Sequence, residues 1–260
     1  MDGFALVTGA SSGIGLELSR LLASGGHNLV LVARNEETLR RLARELESAY
    51  GGTVHIVAKD LADPASPAAI HAFCMGRGLP VDILVNNAGF ATNGPFAATD
   101  LPTELAQMQV NVVALTHLSK LFLPEMLALR RGRILNVAST AGFQAGPYMA
   151  VYYASKAYVV SLSEAMAEEV RGTGVSVTVL CPGPTRTDFQ RRAGMENVAI
   201  AKQAFMMDAA AVAQAGYDGM MRGTPIVIPG MSNKAGALLV KFVPRALSRR
   251  LVGMLNKRKE

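Results

Sequence analysis

The chain has no tryptophan, two cysteines and no uninterrupted apolar run of about 18 residues. Cys74 and Cys181 stand alone, so they give neither a metal-ligand spacing nor a disulfide framework. Without a long apolar run, no segment is expected to span a bilayer. Met1-Asp2-Gly3 leads directly into FALVTG with no charged region ahead of an apolar one, which predicts no secretory leader. These absences point to a reducing, cytoplasmic setting. The 25 glycines follow no period, which excludes collagen-like and repeat architectures.

Net charge is also missing from most of the chain. The formal +6 is local: residues 241–260 hold seven basic residues against Glu260 alone, whereas residues 1–240 balance 19 basic with 19 acidic side chains. Basicity therefore belongs to a tail, and beyond those charges nothing supports nucleic-acid binding.

What is present is an alternation. Short β-rich apolar runs recur at 4–8, 28–33, 53–58, 82–86, 133–138, 175–181 and 225–228. Most are continuous in hydrophobicity, as in parallel strands covered on both faces. Between them lie helical periods such as 36–50, with Leu39, Leu42, Leu46 and Tyr50 on one side. The pattern predicts an α/β protein with a doubly wound, seven-stranded parallel sheet and helices on both faces, which binds ligands at the carboxyl ends of its strands. Residues 1–230 are expected to form one domain and 231–260 an amphipathic helical extension.

After the first predicted strand comes TGASSGIG, residues 8–15. Gly9, Gly13 and Gly15 permit a tight turn, a close approach of backbone to phosphate, and packing of the next helix on the strand. That helix opens at Gly13, and its free N–H groups and dipole suit a pyrophosphate. Ser11, Ser12 and Ile14 complete the turn. The second strand ends in Ala33-Arg34, with no acid to accept bonds from adenosine ribose hydroxyls. A guanidinium there suits a 2′-phosphate instead, and Ser11 adds a hydroxyl donor, so the cofactor expected is NADP(H).

Further on, Tyr152 and Lys156 stand at i and i+4 and share one helix face. An ammonium beside a phenol favours the phenolate and predicts a pKa lowered from about 10. Tyr152 would then serve as general acid, or as base in the oxidative direction. Tyr153, turned about 100° around the helix, packs or touches substrate. Ser139, at the end of the fifth predicted strand, suits hydrogen bonding to a substrate carbonyl. Read singly, Ser139 is a strand-end cap and Asn111 a helix-interior hydrogen bonder.

Read together, TGASSGIG, NNAG (86–89), Asn111, Ser139, YYASK (152–156) and PGPTRT (182–187) resemble the short-chain dehydrogenase/reductase superfamily in its single-domain Rossmann-type form. The resemblance spans roughly residues 4–230. It implies that Asn111, Ser139, Tyr152 and Lys156 form the catalytic set. Lys156 would also hold the nicotinamide ribose, and Asn111 would support a water in a proton relay. It implies further that Asp60 and Leu61 meet adenine, that Asn87, Ala88 and Gly89 line the cofactor, and that Pro182, Gly183, Thr185 and Thr187 fix the carboxamide. A homodimer or homotetramer is implied, through long helices at about 101–129 and 151–171.

The expected reaction is reversible, NADPH-dependent reduction of a carbonyl to an alcohol. Alternatives are a 3-oxoacyl thioester reductase acting on acyl carrier protein or CoA esters, and a non-catalytic NADP-binding scaffold or sensor. Residues 184–207 have the position of a substrate lid. Phe189, Met195, Val198, Ile200, Phe205, Met206 and Met207 make it apolar and adaptable, with Phe90, Phe143 and Tyr148 as added walls. Arg186, Arg191 and Arg192 either hold a phosphopantetheine-like anion or are solvated. The stretch 238–260 reads as a basic amphipathic element, with Pro244 at the first turn of a second helix. Its apolar face either covers its own domain or a sister subunit, or meets an anionic membrane surface or an acidic protein.

Overall fold

The β-branched runs of the sequence become strands wherever helices cover both of their faces. The computed structural model describes residues 3–195, 198, 206–240 and 242–257. In chain order the first half contains β1 Phe4–Thr8, α1 Gly13–Ser24, β2 Asn28–Ala33, α2 Glu36–Tyr50, β3 Val54–Ala58, α3 Ser66–Gly76 and β4 Val81–Asn86. There follow α4 Leu101–Met108, a π-helical stretch Gln109–Ala114, α5 Leu115–Ala128, β5 Gly132–Val137, a 3-10 turn Thr140–Phe143, α6 Ala150–Glu169 and β6 Val175–Leu180. The remainder comprises β7 Thr185–Arg186, α7 Phe189–Arg192, β8 Met207–Asp208, α8 Ala209–Met221, β9 Ile226–Val227, α9 Met231–Leu239 and α10 Arg245–Asn256.

The main sheet is seven-stranded, in the order β3-β2-β1-β4-β5-β6-β9, and every pairing in it is parallel. The order reverses between β1 and β4, so the loops after these two strands diverge and leave a crevice at their carboxyl ends. Two apolar layers flank the sheet. One contains Leu6, Val30, Leu84, Leu118, Phe122 and Ile134; the other contains Val7, Leu18, Leu31, Leu39, Val85, Leu135 and Val212. β7 and β8 form a separate two-stranded parallel pair beside the crevice.

The core also carries a polar chain. Asn86 Nδ2 donates to Asn136 Oδ1 at 2.9 Å and to Ser119 Oγ at 3.1 Å, and Asn136 Nδ2 donates to Ser163 Oγ at 2.9 Å. These bonds tie β4, β5, α5 and α6 together beneath the crevice. Asn86 therefore serves the core, although it opens the NNAG motif.

The long helix expected at 101–129 is interrupted: Gln109–Ala114 is π-helical, and Asn111 lies within it. A π turn inserts an extra residue and re-aims the side chains around it, and Asn111 is directed by it toward the loop after β4.

Candidate active site

Apart from Gly15 and Asn111, every cofactor and catalytic residue expected from the sequence lines one cavity of about 1230 Å³. Its floor is the first turn. Gly9 sits at φ +66°, and a Cβ there would lie 2.8 Å from Asn87 Nδ2, so both backbone conformation and space require glycine. Gly15 lies outside the lining because it makes the helix–strand contact: a Cβ there would come within 2.3 Å of Gly9 O. Ser12 is extended and caps α1 without using its hydroxyl, which leaves that hydroxyl and the first-turn N–H groups directed at the cavity.

Thr8 opens the TGASSGIG motif without a role assigned to it there, and it braces the cavity from behind the lining. Its hydroxyl donates to Val85 O at 3.2 Å and accepts from Asn87 N at 3.0 Å and Ala88 N at 3.1 Å. Asn87 Nδ2 returns bonds to Thr8 O and Gly9 O at 2.9 and 3.2 Å. The loops after β1 and β4 are thus one hydrogen-bonded unit.

At the end of the cavity beyond β2, Ala33 closes the strand and Arg34 follows, its side chain 70% exposed and 3.9 Å from the Asp60 carboxylate. Asp60 also accepts from Ala62 N at 3.0 Å. An exposed pair at this distance is weak, so the guanidinium can turn to an anion at the rim.

At the chemical end, Ser139 follows β5, and Tyr152 and Lys156 come from the first turns of α6. Ser139 Oγ accepts from Ala141 N at 3.1 Å and donates to Pro182 O at 3.3 Å, and it lines the same wall as the Tyr152 hydroxyl. Lys156 Nζ donates to Val137 O at 2.8 Å and lies 5.9 Å from the Tyr152 ring centre. A Cβ on Gly89 would press on Asn111 Oδ1 at 3.1 Å and would stand at ordinary contact, 3.4 Å, from Lys156 Nζ.

The titration of this pair corrects the expectation from spacing. Burial raises the Tyr152 phenol above its ordinary range, and the neighbouring Ser139 hydroxyl only partly offsets that. Burial also pushes the Lys156 ammonium down to about 8. Removal from water disfavours both charged forms, and at this separation it outweighs their mutual effect. The Tyr152 phenol is therefore neutral at neutral pH.

Asn111 stands one layer behind. Its Oδ1 accepts from Phe90 N at 3.1 Å, and its Nδ2 donates to Phe90 O at 3.0 Å and Ser155 Oγ at 3.1 Å. Its side chain braces the Phe90 loop against α6. Pro182, Gly183, Thr185 and Thr187 face the crevice from the segment after β6. Asn233 of α9 holds that segment from behind: a Cβ on Gly183 would fall 2.3 Å from Asn233 Oδ1.

Beyond Tyr152 the cavity continues between Phe90, Met149, Tyr153, Phe189 and Met195. The Phe189 ring lies 5.4 Å from that of Tyr152, and Val198 packs in the same apolar cluster. Ile200 and Phe205 of the expected lid fall outside the described residues, while Met206 and Met207 do not line the cavity. Two other expected walls are corrected. Phe143 packs away from the site beside the Leu115, Val159 and Cys181 cluster. Tyr148, at φ +67°, instead accepts a bond from Gly94 N through its carbonyl at 2.9 Å. Of the three arginines only Arg192 reaches the lining; all three are paired, Arg191 and Arg192 with Asp188 at 3.2 and 3.8 Å and Arg186 with Asp208 at 3.8 Å.

The far wall comes from the tail. Asn256, fully buried at the end of α10, lines the cavity, donates to Pro147 O at 3.1 Å and to the Tyr153 hydroxyl at 3.2 Å, and accepts through its carbonyl from Asn93 Nδ2 at 3.0 Å. This side chain was missed. Nothing in its local sequence separates it from a solvated helix-end asparagine.

Comparison with known proteins places this geometry. The short chain dehydrogenase family model matches residues 3–198. A protein named as a ketoacyl reductase of the granaticin polyketide synthase of Streptomyces violaceoruber is 42% identical over 190 residues, 72% of this chain and 70% of that one. A very-long-chain 3-oxoacyl-CoA reductase of Mycosarcoma maydis is 36% identical over 182 residues, 68% of this chain but only 51% of its own length. A short-chain dehydrogenase from Sphingobium yanoikuyae, solved in complex with NADPH, superposes with a TM-score of 0.83 at 31% identity, covering 94% of this chain and 97% of that one. The chain belongs to the short-chain dehydrogenase family of oxidoreductases.

Proposed function

We propose that the protein is an NADPH-dependent reductase of an apolar ketone or aldehyde, working reversibly on the corresponding alcohol. The observation that carries this reading is the meeting of Ser139, Tyr152 and Lys156 on one wall, between the glycine turn and an apolar recess. The cradle fits the cofactor: Gly9 leaves room beside Asn87, Ser12 keeps its hydroxyl free, and Arg34 stands where a 2′-phosphate needs a cation. Bound nicotinamide supplies the reducing equivalent to the carbonyl carbon.

The chain's own groups do the rest. Ser139, turning its one hydroxyl proton away from Pro182 O, donates a hydrogen bond to the carbonyl oxygen and orients it toward Tyr152. The neutral Tyr152 phenol delivers a proton to that oxygen as charge develops. Lys156, held by Val137 O, places positive charge near the phenolate that remains and stabilises it. Asn111 keeps the Phe90 loop and Ser155 in place. Residues 1–230 act as the catalytic unit, the segment about 184–207 covers the substrate, and 231–260 is an extension that also contributes wall.

A 3-oxoacyl thioester is the second reading, favoured by the names of the ketoacyl and oxoacyl reductases among the relatives. Arg192 at the mouth would meet the phosphate of its carrier arm. A scaffold or sensor has no use for a buried lysine beside a buried phenol. Assembly into a homodimer or homotetramer fits the exposed Leu101, Leu105, Met108 and Val113 of the α4–α5 region and Tyr158 of α6.

The test is NADPH oxidation against ketones, aldehydes and 3-oxoacyl thioesters, with Tyr152→Phe alongside. Loss of general-acid help should lower kcat by about 10²–10⁴-fold. Turnover unchanged by this substitution would overturn the mechanism.

A further inference from the structure

The C-terminal helix faces opposite to the usual sense of an amphipathic helix. α10 buries Ser248, Val252, Gly253 and Asn256 against the domain and leaves Leu247, Leu251, Met254 and Leu255 exposed. These four stand at i, i+4, i+7 and i+8 and form one stripe. Close by in sequence, Met231, Leu238 and Leu239 of α9 and Phe242 of the connection are exposed as well, Met231 at 84% and Phe242 at 78%. An apolar set of this size on the outside of a folded chain marks an interaction surface.

The charge around it identifies the occupant. From residue 219 onward the sequence has nine Lys and Arg against Glu260 alone. Arg245, Arg249, Arg250, Lys234 and Lys257 take part in no ion pair among the described residues. On α10, Arg250 borders the leucine stripe. A second copy of the chain would bring the same unpaired positive charge onto this face, which disfavours self-pairing. The exposed apolar set on α4, α5 and α6 lacks this run of one sign.

From these observations we infer that the outer face of α10, with the end of α9 and Phe242, docks on an anionic lipid surface. Leu247, Leu251, Met254, Leu255 and Phe242 enter the acyl boundary, while the guanidinium and ammonium groups meet lipid phosphates. The helix lies on the surface: no helix among the described residues is long and apolar enough to cross a membrane. The inference does not depend on the reaction the protein catalyses.

Flotation of the full-length protein with vesicles of phosphatidylcholine alone, and of phosphatidylcholine mixed with phosphatidylglycerol, tests this without any variant. The expected result is at least tenfold greater recovery with anionic vesicles, falling as salt is raised. Leu251→Glu/Leu255→Glu should abolish recovery while NADPH binding and the melting temperature stay as in the parent. Arg250→Glu/Lys257→Glu should lose the preference for anionic lipid. Negligible recovery of the parent protein with anionic vesicles at low salt overturns the inference. So does equal recovery of the parent and the folded Leu251→Glu/Leu255→Glu protein. If the parent fails to float but sedimentation equilibrium shows self-association that Leu251→Glu/Leu255→Glu removes, the face is a subunit contact. Capture of an acidic carrier protein without flotation likewise replaces lipid with protein.

Discussion

The side chain of Asn256 donates to the hydroxyl of Tyr153 at 3.2 Å, across 103 residues of chain. Tyr153 neighbours the proposed proton donor and is itself buried, so its hydroxyl depends on this partner. Asn256→Ala strands the Tyr153 hydroxyl and Pro147 O, at a cost of roughly 1–3 kcal/mol. The expected outcome is a lower urea midpoint and a raised KM, with a smaller change in kcat. Unchanged KM in a folded variant would remove Asn256 from the substrate wall.

Lys156 gives a pH signature. Its folded pKa, pushed by burial from 10.5 to about 8, is depressed, so the unfolded chain binds the proton more readily between these values. The contribution to stability is complete above 10.5 and is lost as pH falls through about 8. Urea midpoints at pH 7.5 and 9.5 should therefore show a gain for the parent, relative to Lys156→Met, at the higher pH. Parallel midpoints would mean that the lysine is not desolvated.

Arg34 decides the cofactor in the proposed reading. Replacing a guanidinium that meets a 2′-phosphate with a carboxylate removes a charge-assisted bond and adds repulsion. Arg34→Asp should lower kcat/KM with NADPH by roughly ten- to a hundredfold, while NADH is retained or improved. An unchanged ratio of the two would take Arg34 away from the phosphate.

His27 lies far from the site, between α1 and β2, buried and with neither ring nitrogen hydrogen-bonded among the described residues. Burial lowers its pKa from 6.5, an effect that the Asp82 charge only partly offsets. Its contribution to stability is full above 6.5 and is lost as pH falls through the lowered value. The parent should lose stability from pH 7.5 to pH 5 faster than His27→Leu does. Equal losses, by urea titration at both values, would contradict the assignment.

Much of this architecture is legible in the sequence because parallel strands leave a strong local mark. NLVLVA at 28–33 and the helical period of 36–50 coincide with the observed β2 and α2. Ser139, Tyr152 and Lys156 are legible for another reason: they sit within motifs whose spacing is itself the chemistry. What escapes is long-range or a matter of orientation. The π turn around Asn111 changes which way a helix points its residues without changing their periodicity. The tail shows the same limit. Its leucines leave the partner of the apolar face open between the domain, a sister subunit, a membrane and an acidic protein. The face laid on the domain is instead held by Asn256 and Ser248 bonds and by the close approach of Gly253 to Pro147. Hydropathy alone ranks the leucines above those small and polar residues.

α10 presents Asn256 inward to the cavity and Leu251 outward to its surroundings. A molecule that orders the helix through Asn256 and a surface that orders it through Leu251 act on one rigid element. Thermodynamic reciprocity then ties the two events: whatever factor lipid adds to the affinity for substrate, substrate adds to the affinity for lipid.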